Sequence, residues 1–130
     1  MLHTALMQAL KISEKAVAQG FEWTAESDIW EQLESELDEF REAAKNAEGL
    51  KGADADPLRK EMDLEMGDIL FTMVNIARWH KLNPEESLLM ALEKFRQRFY
   101  QMEQSAERPL KELTVGEWDV LWKEAKATKG

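Results

Sequence analysis

Apolar residues recur along this chain at helical intervals, and polar caps or breakers separate one run from the next. Leu6, Leu10 and Val17 share one side of a first predicted helix over residues 2–19, which Gly20 is placed to stop. A second begins near Thr24, and its stripe Ile29, Leu33, Leu37, Phe40, Ala44 steps by four, four, three and four. The small, polar stretch 49–56 reads as a loop. Asp56 followed by Pro57 reads as an N-cap with proline in the first turn, opening a third helix that runs to about His80. Asn83-Pro84-Glu85-Glu86 repeats the device, with Glu86 at the capping-box position. The fourth helix carries Leu88, Leu92, Phe95, Phe99 and Met102 in alternating steps of four and three, a near-heptad seam suited to bundle packing. Thr114-Val115-Gly116-Glu117 is a further capping box. It opens a short last helix with Val115, Trp118, Trp122 and Ala125 on one face.

No strand pattern competes, and there are no internal repeats. The expected architecture is all-α: a four-helix bundle with an additional C-terminal helix, in one domain over residues 1–130. The third helix is so apolar between Met62 and Ala77 that burial nearly all round is expected, and a helix apolar on two sides calls for a dimer.

Composition narrows the chemistry. There is no Cys, so disulfides, zinc ribbons and thiol nucleophiles are excluded, which fits a reducing, cytoplasmic setting. No apolar run approaches the ~18–20 residues of a membrane span, so no membrane partner is expected. The net charge of −9 argues against nucleic acid as a partner.

Some of those acids are not explained by solubility. Glu61, Glu65, Asp68, Thr72 and Asn75 interrupt the third helix within an arc of about 80°, one polar stripe on a helix expected to be buried. Buried carboxylates are paired or bind a metal. Glu36 and Glu39, three apart beside the apolar stripe of the second helix, could join Glu65 and Asp68 if the two helices pack side by side. An all-oxygen set suits Mg²⁺ or Mn²⁺. With only His3 and His80 available, a Glu-x-x-His di-iron site is absent. The alternatives are solvated surface acids for Glu36 and Glu39, and a buried hydrogen-bond network or a polar dimer interface for the stripe. Against this background residues 94–111 hold five cations and two acids. Lys94 and Arg98, at i and i+4, share a face and could either bridge to helix acids or meet phosphate charge, and Arg78 is a weaker candidate of the same kind.

The pattern Glu36-Leu-Asp-Glu39 followed by Glu65-Met-Gly-Asp68 resembles the E-x-x-E and E-x-x-D signature of the MazG-like all-α nucleoside triphosphate pyrophosphohydrolases. The flanking segments Gly20-Phe21-Glu22-Trp23, Gly67-Asp68-Ile69-Leu70-Phe71, Val74-Asn75-Ile76-Ala77-Arg78, Glu93-Lys94-Phe95 and Arg98-Phe99 are similar to the catalytically competent repeat of MazG, as is the tail over 109–126. The resemblance implies Mg²⁺-dependent hydrolysis of (deoxy)nucleoside triphosphates to monophosphate and pyrophosphate. It implies Glu36, Glu39, Glu65 and Asp68 as metal ligands; Glu36 or Glu39 is the candidate general base, and no sequence argument chooses between them. Lys94 and Arg98 would hold phosphates, and Asn75, Arg78 and Trp122 would contact substrate. It also implies a homodimer or a dimer of dimers. Three positions depart from the pattern: Ser35 where a further Glu is frequent, Leu92 for Asn, and Gln97 for Arg. Ser35 bears on the number of metal ions and on which group orients water. A non-catalytic helical interaction module and a substrate-restricted relative such as an all-α dUTPase are the alternative readings.

Overall fold

The computed structural model describes residues 3–128. The regular elements among them are all helical: α1 (Ala5–Ala18), α2 (Glu26–Ala47), α3 (Asp56–Trp79), α4 (Pro84–Ser105) and α5 (Val115–Ala127), with short 3-10 turns at Gly52–Asp54 and Leu110–Glu112. Thr4 caps α1 by accepting from the Met7 amide, while its hydroxyl donates to the Glu85 carboxylate. Leu2, the expected start of that helix, lies outside the described residues. The expected cap of α3 is corrected: Ala55 holds the cap position without a side-chain bond, and Asp56 sits inside the first turn, where its charge favours the helix dipole. At α4 the Asn83 Oδ1 accepts from the Glu85 amide at 2.9 Å. The Thr114/Glu117 capping box of α5 is present in both directions.

Two helices end in the same way. After α1, Gly20 takes φ 92°, its amide bonds to Val17 O, and the Phe21 amide reaches Ala16 O at 3.0 Å, a Schellman closure. After α3 the same pair of bonds forms, from Lys81 to Arg78 O and from Leu82 to Ala77 O, but the left-handed residue is Lys81 at φ 60°. A lysine there bears a steric cost that glycine does not. Lys81→Gly is therefore expected to stabilise the protein by about 1 kcal/mol, read from chemical denaturation. An unchanged or lowered midpoint would count against it.

The chain divides into two compact units, Met1–Glu85 and Glu86–Gly130. In the first, α3 packs on α2 and α1. Its core is Ile29, Leu33 and Ile76, with Trp23, Leu37, Ile69 and Trp79 against it, as the stripe of the second helix predicts. The burial expected all round α3 is not found. Thr72 and Asn75 are buried, whereas Met66, Leu70 and Met73, on the opposite side of the helix, are exposed, Leu70 by 53%. The C-terminal part of the polar stripe, Thr72 and Asn75, faces inward, Glu61 and Asp68 remain exposed, and Met66, Leu70 and Met73 point out, because α1 and α2 supply one packing layer and a two-sided helix needs two.

In the second unit α5 meets the C-terminal half of α4 through aromatic rings. Phe95 lies 5.6 Å from Trp122 and 6.0 Å from Phe99, centroid to centroid. Arg108 bonds Glu117 at 2.6 Å. Only the end of the expected α4 seam is covered: Met102 is buried and Phe99 half-buried, while Leu88, Leu92 and Phe95 are exposed.

Candidate functional site

The i, i+3 spacing puts Glu36 and Glu39 on one flank of α2, and Glu65 and Asp68 on one flank of α3. Packing of α2 on α3 brings the four carboxyls into one electrostatic neighbourhood. They are not equivalent. Glu36 is 6% exposed, and both its oxygens are held: Thr72 Oγ1 donates to Oε1 at 2.7 Å and Gln32 Nε2 to Oε2 at 3.1 Å. Glu39 is exposed, touched by the Ser35 hydroxyl at 3.4 Å. Asp68 is exposed as well. Glu65 is half-buried, and its Oε2 is the one buried side-chain polar atom without a hydrogen-bond partner among the described residues.

That orphaned oxygen sits in a crowd of like charge. Its own burial, then hydrogen bonding to and repulsion by Glu39, then the charges of Asp68 and Glu36, push the Glu65 carboxyl above the ordinary carboxylate range. Like charges in one neighbourhood repel, and among the described residues no three such groups converge closely enough as they stand to hold one ion. The donor set nevertheless fits a hard divalent cation: four carboxyls, no sulfur or imidazole, and one buried oxygen lacking a partner.

A cavity of about 370 Å³ opens beside Glu36, between α1, the loop after it, α2 and α3. Phe21, Trp23 and Phe71 give it aromatic walls, and Ser13, Asn75 and Arg78 line it as well. The three polar residues form a network. Ser13 Oγ donates to Asn75 Oδ1 at 2.5 Å and accepts from Arg78 Nε at 2.7 Å. The two terminal nitrogens of Arg78 then grip both oxygens of Glu22 at 2.7 Å each. Asn75 and Arg78, candidate substrate contacts by sequence, are thus cavity-wall residues, and each of the three Arg78 nitrogens has a protein partner. Sequence reading missed Ser13, Glu22, Gln32 and the role of Thr72. Ser13 had a signal, a small polar residue on the apolar side of α1 in step with Leu10 and Val17.

The Arg78 fork lowers the Glu22 pKa below its ordinary 4.5, against the opposing effect of its partial burial. The Trp30 and His80 bonds do the same for Glu26, and the Thr114 amide and Arg108 do so for Glu117. A depressed acid stabilises the fold above its unfolded value and loses that contribution as pH falls through the folded one. Thermal stability should therefore fall as pH drops below about 4.5, and Glu22→Gln should flatten that acid limb. An identical limb in the variant would show that the fork contributes nothing.

Lys94, Arg98 and Trp122 lie in the second unit. The Arg98 guanidinium stands 5.7 Å over the Trp122 ring, a cation–π contact that leaves its N–H edge available. Lys94 is exposed. Glu93 takes up the neighbouring cation, Arg96, at 2.7 Å. No helix among the described residues is long and apolar enough to cross a membrane.

Comparison with known proteins gives a consistent result. No family model matches the chain. It is 36% identical over 125 residues, 94% of its length, to the nucleoside triphosphate pyrophosphohydrolase/pyrophosphatase MazG of Thermotoga maritima, 44% of which is covered. It is 34% identical over 99 residues, 76% of its length, to the nucleoside triphosphate pyrophosphohydrolase of Escherichia coli (strain K12), with 35% of that protein covered. The chain thus spans less than half the length of these curated relatives. An all-α fold, acid pairs meeting across α2 and α3, and a MazG relative matched along nearly the whole of this sequence lead to one assignment: the chain belongs to the MazG-like family.

Proposed function

We propose that this domain is a Mg²⁺-dependent nucleoside triphosphate pyrophosphohydrolase, converting a (deoxy)nucleoside triphosphate and water to the monophosphate and pyrophosphate. The observation that carries the reading is the unpartnered, buried Glu65 Oε2 among Glu36, Glu39 and Asp68. The activity in the names of the relatives supports it. Glu36, Glu39, Glu65 and Asp68 hold the cation. When bound, Mg²⁺, or Mn²⁺ in its place, neutralises phosphate charge and makes water more acidic.

The chain's own residues do the rest. Glu39 is exposed where Glu36 is buried and held at both oxygens, so Glu39 is the acid better placed to take a proton from water attacking the α-phosphorus, and the bridging oxygen between α- and β-phosphorus leaves with pyrophosphate. Lys94 and Arg98 contact the phosphates, and Trp122 the nucleotide. The aromatic cavity beside Glu36 has the volume and lining of a small-molecule site and would take the nucleoside. The domain acts as a homodimer. A second copy covering the Met66, Leu70 and Met73 face would supply the missing layer on α3.

Pyrophosphate release, measured over the eight common nucleotides with dUTP and oxidised forms, with and without Mg²⁺, tests the activity. Turnover confined to dUTP would establish the restricted reading. No turnover, together with no Mg²⁺-dependent thermal shift, would establish a non-catalytic module. A monomer in sedimentation at micromolar concentration would exclude the dimer.

A further inference from the structure

We propose that Thr72 is a positioning residue for Glu36, fixing that carboxylate before a cation arrives; the inference rests on reading the four acids as a cation site. A threonine inside a helix has a local acceptor at hand, the carbonyl one turn earlier. Thr72, 4% exposed in the middle of α3, instead sends its hydroxyl across to α2 and donates to Glu36 Oε1 at 2.7 Å. Gln32, one turn before Glu36, donates to the other oxygen at 3.1 Å. With both oxygens held from two directions, the carboxylate plane cannot turn freely.

The nature of the two donors matters as much as their placement. A lysine or arginine at either position would also orient Glu36, but it would offset the charge that a cation needs. A hydroxyl and an amide orient the group and leave its full negative charge in place. The arrangement contrasts with Glu65 across the cluster, whose Oε2 has no partner. One acid has both oxygens held in advance, and its neighbour has one oxygen left without a partner. Hydrogen-bond donors behind a metal ligand typically change metal affinity or activity by about 10–100-fold.

The test uses Mg²⁺ or Mn²⁺ alone, without nucleotide, titrated against thermal unfolding of the wild-type protein, Thr72→Val, Thr72→Ser and Gln32→Leu. Thr72→Val should raise the cation concentration for half-maximal stabilisation by about 10-fold. Thr72→Ser, which keeps the hydroxyl, should restore the wild-type value. Gln32→Leu should move it in the same direction as Thr72→Val but less far, its bond being the longer. In turnover assays the Mg²⁺ requirement should rise in Thr72→Val and return to the wild-type value in Thr72→Ser.

A folded Thr72→Val with the wild-type midpoint overturns the proposal and leaves the cation site standing. Should that variant not fold, Gln32→Leu decides, because Gln32 is exposed and its loss does not threaten the core; an unchanged midpoint there overturns it equally. If the wild-type protein itself gains no stability from either cation, the cation site falls and this inference with it.

Discussion

Asp68→Asn is expected to cut Mg²⁺-dependent pyrophosphate release by at least about 10²-fold while raising the melting temperature of the cation-free protein. The two effects share one cause. Asp68 is exposed, so the change leaves the packing of α2 on α3 intact and removes one negative charge from a cluster that already pushes the Glu65 carboxyl upward. Less repulsion stabilises the empty fold, and the lost anionic oxygen weakens the hold on a divalent cation. Glu39→Ala should behave likewise. Steady-state pyrophosphate assays paired with melts in a chelator read both quantities. A variant that keeps wild-type turnover would remove Asp68 from the site, and one that loses activity together with helical content would show that the residue serves folding.

The largest loss of stability is expected from Ile29→Ala. Ile29 is 0% exposed at the centre of the core that joins α2 to α3, packed with Leu33 and Ile76 and bordered by Trp23 and Trp79. Truncation removes the transfer free energy of the lost methyl and methylene groups and leaves a cavity that large rings are slow to fill, at a cost of about 3 kcal/mol. For a chain of this size that corresponds to a melting temperature lower by roughly 10 °C. The effect reaches the site as well, since the same contact holds the two acid-bearing helices together. A loss below about 1 kcal/mol would mean that the core repacks far more readily than close-packed interiors do.

What the sequence makes legible here follows from how far each interaction reaches along the chain. Caps and stops act over three or four residues, so the Thr114 box and the Gly20 stop can be read directly. Lys81 cannot, because its left-handed conformation follows from how α3 must turn and no glycine marks it. The acid pairs are legible because each spans i, i+3 on one helix. Their partners are not. Thr72 and Glu36 lie 36 positions apart, and Ser13 and Arg78 lie 65 apart; periodicity assigns a residue to a face without saying what that face meets. The same limit explains α3. Its pattern says that two sides are apolar, and only the packing shows that Thr72 and Asn75 of the polar stripe turn inward while Asp68 stays exposed.

The outward face of α3 has one more property. Met66 and Met73 lie on it, Met90 is exposed on α4, and Met102 is buried. In a chain without cysteine, the thioethers are its oxidisable sulfur. Peroxide would reach Met90 well before Met102, whereas a second copy seated on α3 would shield Met66 and Met73. The sulfurs on that face would therefore report whether it is covered: Met66 and Met73 oxidised as fast as Met90 would mean an open face, and slow oxidation a covered one.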